Sequence, residues 1–120
     1  MDLKKIQNKL ALFAKARNWD KYHTPKNLAM ALAGEAGELL EVFQWLTNEE
    51  SMPENLDKKT LVHAEEEIAD VLTYLIRLAD KLDINLEKAL YKKIAMNGKK
   101  YPVRLAKNNA VKYNRRDKSV

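Results

Sequence analysis

Cysteine is absent from this chain, and glycine and proline occur three times each. Without cysteine there are no disulfide staples and no thiolate metal sites, and the composition fits a reducing compartment. The scarcity of glycine and proline argues for long helices and against a strand-and-turn architecture. Long apolar runs are missing too. Met1-Asp2-Leu3-Lys4-Lys5 leads into no apolar stretch, so no signal peptide is expected, and no segment approaches membrane-spanning length. The sequence holds no Gly-x-x-x-x-Gly-Lys-Ser/Thr loop and no plausible Ser–His pairing, which excludes P-loop chemistry and nucleophilic triads. At 120 residues one domain is expected.

The net charge of +5 is unevenly spread. From Lys99 onward eight Lys or Arg face one Asp, giving +7, which leaves −2 on residues 1–98. The basic end is read as a solvated, frayed terminus rather than a nucleic-acid contact.

Apolar spacing predicts four helices. Leu3, Ile6, Leu10 and Phe13 mark the first, capped by Asp2 and ending near Arg17 or Asn18. Trp19-Asp20-Lys21-Tyr22-His23 is an aromatic-rich connection: either a hydrophobic lid over the core or a stacking platform for a planar ligand. Thr24-Pro25 reads as N-cap and N1 of a second helix running to about Leu46. After a polar loop with Pro53, the third helix runs from about Asp57 to Leu82. Leu61, Ile68, Leu72, Leu75, Ala79 and Leu82 form a second apolar stripe on it, so it should be the central, most buried element. Asn85 caps a fourth helix with Leu86, Leu90 and Ile94 as its core face. Its Lys93, Asn97 and Lys100 are either ordinary solvated side chains or one polar stripe suited to phosphate oxygens. Tyr101-Pro102 ends it.

Two of these helices share an anomaly. On the second, Leu28, Leu32, Glu35, Leu39, Val42 and Leu46 form a buried seam in which Glu35 replaces an expected leucine. Glu38 lies one turn on. On the third, Ala64, Glu67, Val71, Tyr74 and Leu78 point inward, with Asp70 three residues after Glu67. Buried carboxylates are costly unless paired or metal-bound, and four together would repel and raise one another's pKa. A hard divalent cation on oxygen ligands resolves this. With no His, Cys or thioether among the ligands, Mg²⁺ or Mn²⁺ is expected over iron, zinc or copper. Glu-x-x-His, which di-iron carboxylate bundles require, follows neither Glu35 nor Glu67. Gly34 and Gly37 each cost a helix interior about 1 kcal/mol relative to Ala, so they serve close helix packing or make room for a metal–phosphate group.

Gly34-Glu35-Ala36-Gly37-Glu38, followed by Glu66-Glu67-Ile68-Ala69-Asp70-Val71-Leu72, resembles the signature of MazG-type all-α nucleoside triphosphate pyrophosphohydrolases. Phe13, Arg17 and Trp19, Pro25-x-Asn27-Leu28, Phe43-Gln44-Trp45, Lys93, Asn97 and Tyr101-Pro102 resemble the small dCTP pyrophosphatase branch, over about Ile6 to Tyr113. The resemblance implies hydrolysis of a nucleoside triphosphate between the α and β phosphates, with Glu35, Glu38, Glu67 and Asp70 as Mg²⁺ ligands. It implies Trp19, His23, Trp45 and Tyr74 around the base and sugar, and Lys93 and Asn97 on the phosphates. A proton acceptor for the attacking water is expected in Glu38 or Glu66. The dCTP-selective animal members carry His at the position of Leu10, which leaves the preferred base open. The expected architecture is a four-helix bundle of the all-α NTP pyrophosphatase type over residues 1–103, with a basic C-terminal tail over 104–120. Small residues on the second helix (Ala29, Ala33, Ala36) and the two-sided third helix point to a homo-oligomer, a dimer or dimer of dimers by family resemblance. Its partners are then a nucleoside triphosphate and copies of itself, with no membrane and no nucleic acid, and a cytoplasmic location. The competing readings are a non-catalytic acidic helical binding module, with the tail for nucleic acid, and a nucleotide sensor.

Overall fold

The structure, a computed structural model, describes residues 1–116. All-α is the outcome: no strand occurs among the described residues. The long helices are α1 (Leu3–Ala16), α2 (Pro25–Phe43), α3 (Lys58–Lys81) and α4 (Leu86–Lys100), and a short α5 (Val103–Ala106) follows. Each long helix starts on a side-chain cap. Asp2 accepts from Lys5 N–H, Thr24 from Asn27 N–H, Asp57 from Thr60 N–H and Asn85 from Lys88 N–H. Pro25 occupies the first turn of α2, where its missing N–H costs nothing.

Two helix ends show how a glycine-poor chain stops a helix. Asn18 and Asp83 take φ of 56° and 54°, the left-handed region that most side chains avoid. In both places the reciprocal Schellman bonds form. Trp19 N–H donates to Ala14 O at 2.9 Å and Asn18 N–H to Lys15 O at 3.0 Å. Ile84 N–H donates to Ala79 O at 2.9 Å and Asp83 N–H to Asp80 O at 3.1 Å. The first of these turns swings the chain into the 3-10 turn Asp20–Tyr22 that presents the aromatic connection.

The chain divides into two compact units, Met1–Ile84 and Asn85–Val120. In the first, α2 packs along α3 and α1 also packs on α3. Its buried residues are Ala14, Leu28, Ala64, Ile76, Ala79 and, unusually, Arg77. Most of these lie on α3, the element expected to be central. The seam of α2 is as expected: Leu28 is buried, and Leu32, Glu35, Leu39, Val42 and Leu46 are all half-buried. The second stripe of α3 is not enclosed, because Leu61, Ile68, Leu75 and Leu82 remain exposed. In the second unit, Leu90 and Ile94 of the expected α4 core face are exposed as well. That unit is too short to wrap its own apolar face.

Beyond α4 the residues as far as Arg116 are mostly exposed, with a few contacts back to the end of α4. Tyr101 and Tyr113 meet edge to face at 6.1 Å, Lys100 Nζ sits 4.8 Å over Tyr113, and Arg116 donates to the Lys100 carbonyl. Residues 117–120 of the expected tail lie outside the described residues.

Candidate active site

Glu35 and Glu38 come from one face of α2, and Glu67 comes from the facing stripe of α3. One carboxylate oxygen from each lies within 4.8 Å of the other two. Glu35 and Glu67 are half-buried and Glu38 is exposed. Asp70 lies outside this triad and is exposed, yet its charge acts on both Glu35 and Glu67.

Crowding of like charges shows in the titration. A hydrogen bond shared with Glu38, then burial, then the charges of Glu38, Asp70 and Glu67 push Glu35 up to about 7. Burial first, then Glu38, raises Glu67 as well, while His63 opposes it. His63 Nε2 lies 3.3 Å from Glu67 Oε1. Glu35 Oε2 and Glu67 Oε2 are buried and lack any hydrogen-bond partner. An orphaned buried carboxylate oxygen is expensive, and here two of them share one cluster. The residues therefore fit a hard divalent cation, with Glu35, Glu38 and Glu67 as the close donors.

Gly34 and Gly37 flank Glu35 with open space beside them. A Cβ at either would meet nothing within 4 Å. Close packing within this chain therefore does not account for them, and room beside the backbone remains.

The aromatic residues divide. Trp19 stands edge-on to Phe13 at 5.8 Å and tilts over His23 at 6.2 Å, and Arg17 lies 3.5 Å above Phe13. Tyr74 is half-buried on α3, one turn beyond Asp70. Trp45 departs from expectation. α2 stops at Phe43, so Trp45 is past the helix end, 86% exposed, and not stacked two helical turns above Glu38. The cause is local. Thr47 N–H donates to Glu50 and Glu50 N–H donates to Thr47 Oγ1, a capping box that begins a new turn and forbids continuation of α2. Glu66 is not drawn into the cluster; it lines a shallow depression with Lys59, Thr60, Val62 and His63. Lys93 and Asn97 lie one turn apart on α4 in the second unit, both exposed.

Sequence reasoning missed Arg77 and its partners Asp20 and Asp80. Arg77 is 4% exposed and bonds both carboxylates, at 3.0 Å and 3.4 Å. An arginine among the apolar positions Ile76, Leu78 and Ala79, with Asp three residues on, was the available signal.

A carboxylate triad held between the packed helices α2 and α3 of an all-α fold defines the class. The chain belongs to the MazG-like family, whose profile matches residues 31–115. It is 40% identical over 111 residues to dCTP pyrophosphatase 1 of Rattus norvegicus and to that of Homo sapiens. Each alignment covers 92% of this chain but only 65% of the relative's length. A crystal structure of a pyrophosphatase from Archaeoglobus fulgidus superposes with a TM-score of 0.77 at 42% identity, covering 85% of this chain and 94% of that one.

Proposed function

We propose that this chain is a Mg²⁺-dependent nucleoside triphosphate pyrophosphohydrolase that converts a (d)NTP, dCTP or a modified dNTP, to the monophosphate and pyrophosphate. The observation that carries the reading is the pair of buried, partnerless oxygens on Glu35 and Glu67 within a three-carboxylate cluster. The names of the similar proteins, dCTP pyrophosphatase 1 and a pyrophosphatase, support the same chemistry.

Glu35, Glu38 and Glu67 would hold the cation, with Asp70 the fourth ligand. When bound, Mg²⁺ (or Mn²⁺) supplies charge neutralisation for the phosphates and a water of lowered pKa. Glu38 is the exposed member of the triad, so it is the better placed of the two proton acceptors; Glu66 is the second. The family resemblance assigns Trp19, His23, Trp45 and Tyr74 to the base and sugar, and Lys93 and Asn97 to the phosphates. The domain spans residues 1–103 with a basic segment over 104–120. No described helix is long and apolar enough to cross a membrane; a cytoplasmic location is part of the proposal, and the cysteine-free composition fits a reducing compartment.

The uncovered apolar faces of α3 and α4 support assembly with further copies of the chain, as a dimer or dimer of dimers.

The deciding experiment incubates the protein with Mg²⁺ and a panel of common and modified nucleoside triphosphates, and identifies the products. Equimolar monophosphate and pyrophosphate are expected. Orthophosphate and diphosphate, or no Mg²⁺-dependent product, would rule the proposal out and favour a binding module.

A further inference from the structure

Arg77 is the buried cation of the first unit, and every group it touches is specified. Its Nη2 donates to Asp20 Oδ1 at 3.0 Å and its Nη1 to Asp80 Oδ2 at 3.4 Å. Asp80 Oδ1 is held in turn by Gln7 Nε2 of α1 at 2.7 Å, and Asp20 also receives Lys81 Nζ at 3.3 Å. The same guanidinium turns two nitrogens on one ring atom: Nε lies 3.3 Å and Nη2 3.2 Å from His23 Nδ1. α1, the Asp20–Tyr22 turn and α3 are thereby tied at one point.

A guanidinium offers only donors and keeps its proton at any ordinary pH. An atom facing two of its N–H groups must offer a lone pair. Nδ1 of His23 is therefore the unprotonated nitrogen, and in the neutral ring the proton sits on Nε2. Protonating Nδ1 would set an N–H against Arg77 and add a second positive charge beside it. We propose that Arg77 is a positioning residue: it locks the His23 imidazole as the neutral Nε2–H tautomer, so that the ring can only donate, toward an acceptor oxygen of the nucleotide. The role toward substrate rests on the proposal that His23 lines the nucleotide pocket; the tautomer does not. The surroundings agree. Burial, then the charges of Arg77 and Lys81 on α3, hold His23 below its ordinary 6.5, and Asp20 on the turn opposes them only in part.

The chain has only two histidines, His23 and His63, so a His63→Gln variant assigns the His23 ring unambiguously in long-range ¹⁵N spectra. In the unmodified protein Nε2 is expected to be protonated and Nδ1 bare, with the ring titrating below its ordinary 6.5. In Arg77→Met the ring should become a tautomer mixture that titrates at higher pH than in the unmodified protein, because one of the charges holding it down is gone. In that variant KM should rise by about 10-fold, the scale of one good hydrogen bond, with kcat far less affected. The inflection that His23 gives the KM–pH profile should move to higher pH with it. A ring proton on Nδ1, or titration near 6.5 in the unmodified protein, would overturn the assignment without needing the variant to fold. If His23→Ala leaves KM unchanged while the Nε2–H tautomer is seen, the pocket reading of His23 fails, and Arg77's role toward substrate fails with it.

Discussion

Glu38 shows how burial sorts residues of one chemical type. Glu35 and Glu67 each keep one oxygen in the interior without a partner, whereas Glu38 meets the same cluster from the solvent side. The inner pair offers buried oxygens to a cation, while the outer one also faces solvent. Replacing Glu38 with Gln keeps size and polarity while removing the charge, so helicity by circular dichroism should be unchanged. Mg²⁺-dependent pyrophosphate release should fall by about 100-fold or more. Near-normal turnover would remove Glu38 from the site.

The raised pKa of Glu35, to about 7 against an ordinary 4.5, has a sign that can be followed. Between those values the folded protein holds a proton that the unfolded chain has lost. The stabilisation from that proton is therefore present at low pH and is lost as pH rises through about 7. Without metal, the melting temperature should fall from pH 6 to pH 8, and this slope should flatten in Glu35→Gln. Mg²⁺ must displace that proton, so the ion should stabilise more at pH 8 than at pH 6. Thermal melts with EDTA and with Mg²⁺ at both pH values test it; an equal Mg²⁺ effect at both would contradict a shared proton and cation site.

At the scale of the element, α2 carries a defect that its own packing does not explain. Glycine inside a helix gives up about 1 kcal/mol relative to alanine, and the space around Gly37 would accept a methyl group without a clash. Gly37→Ala should therefore raise the melting temperature of the protein. It should lower kcat/KM if the open strip beside Glu38 is kept free for phosphate. Greater stability with full activity would show that the glycine reserves nothing. The end of α2 makes a related point. Its apolar seam continues through Leu46, so periodicity alone extends the helix and carries Trp45 with it. The reciprocal Thr47–Glu50 bonds end it earlier. That is local capping overruling a pattern.

For the molecule as a whole, half of the buried residues named above are alanines, while Leu61, Ile68, Leu75 and Leu82 repeat at seven-residue intervals on α3 and stay exposed. A seven-residue stripe is the spacing that one helix offers another. Static light scattering should give a dimer or tetramer, and an Ile68→Glu plus Leu75→Glu pair should shift it toward monomer while the far-ultraviolet dichroism stays helical. A monomer in the unmodified protein would leave those faces unexplained and refute the assembly.

The sequence by itself determined the all-α class, the four long helices with their caps at Asp2, Thr24 and Asn85, and the seams bearing Glu35 and Glu67. These follow from side-chain spacing and from bonds between residues three or four apart, which a linear reading sees directly. Tertiary structure alone decided the rest: that Glu66 stays outside the carboxylate cluster, and that Arg77 gathers Asp20, His23 and Asp80. The Arg77 network joins residues up to 73 positions apart, and an ionised group in the interior is tolerable only where folding brings its counter-charges to it. Nothing in the local pattern around Arg77 says which partners those will be.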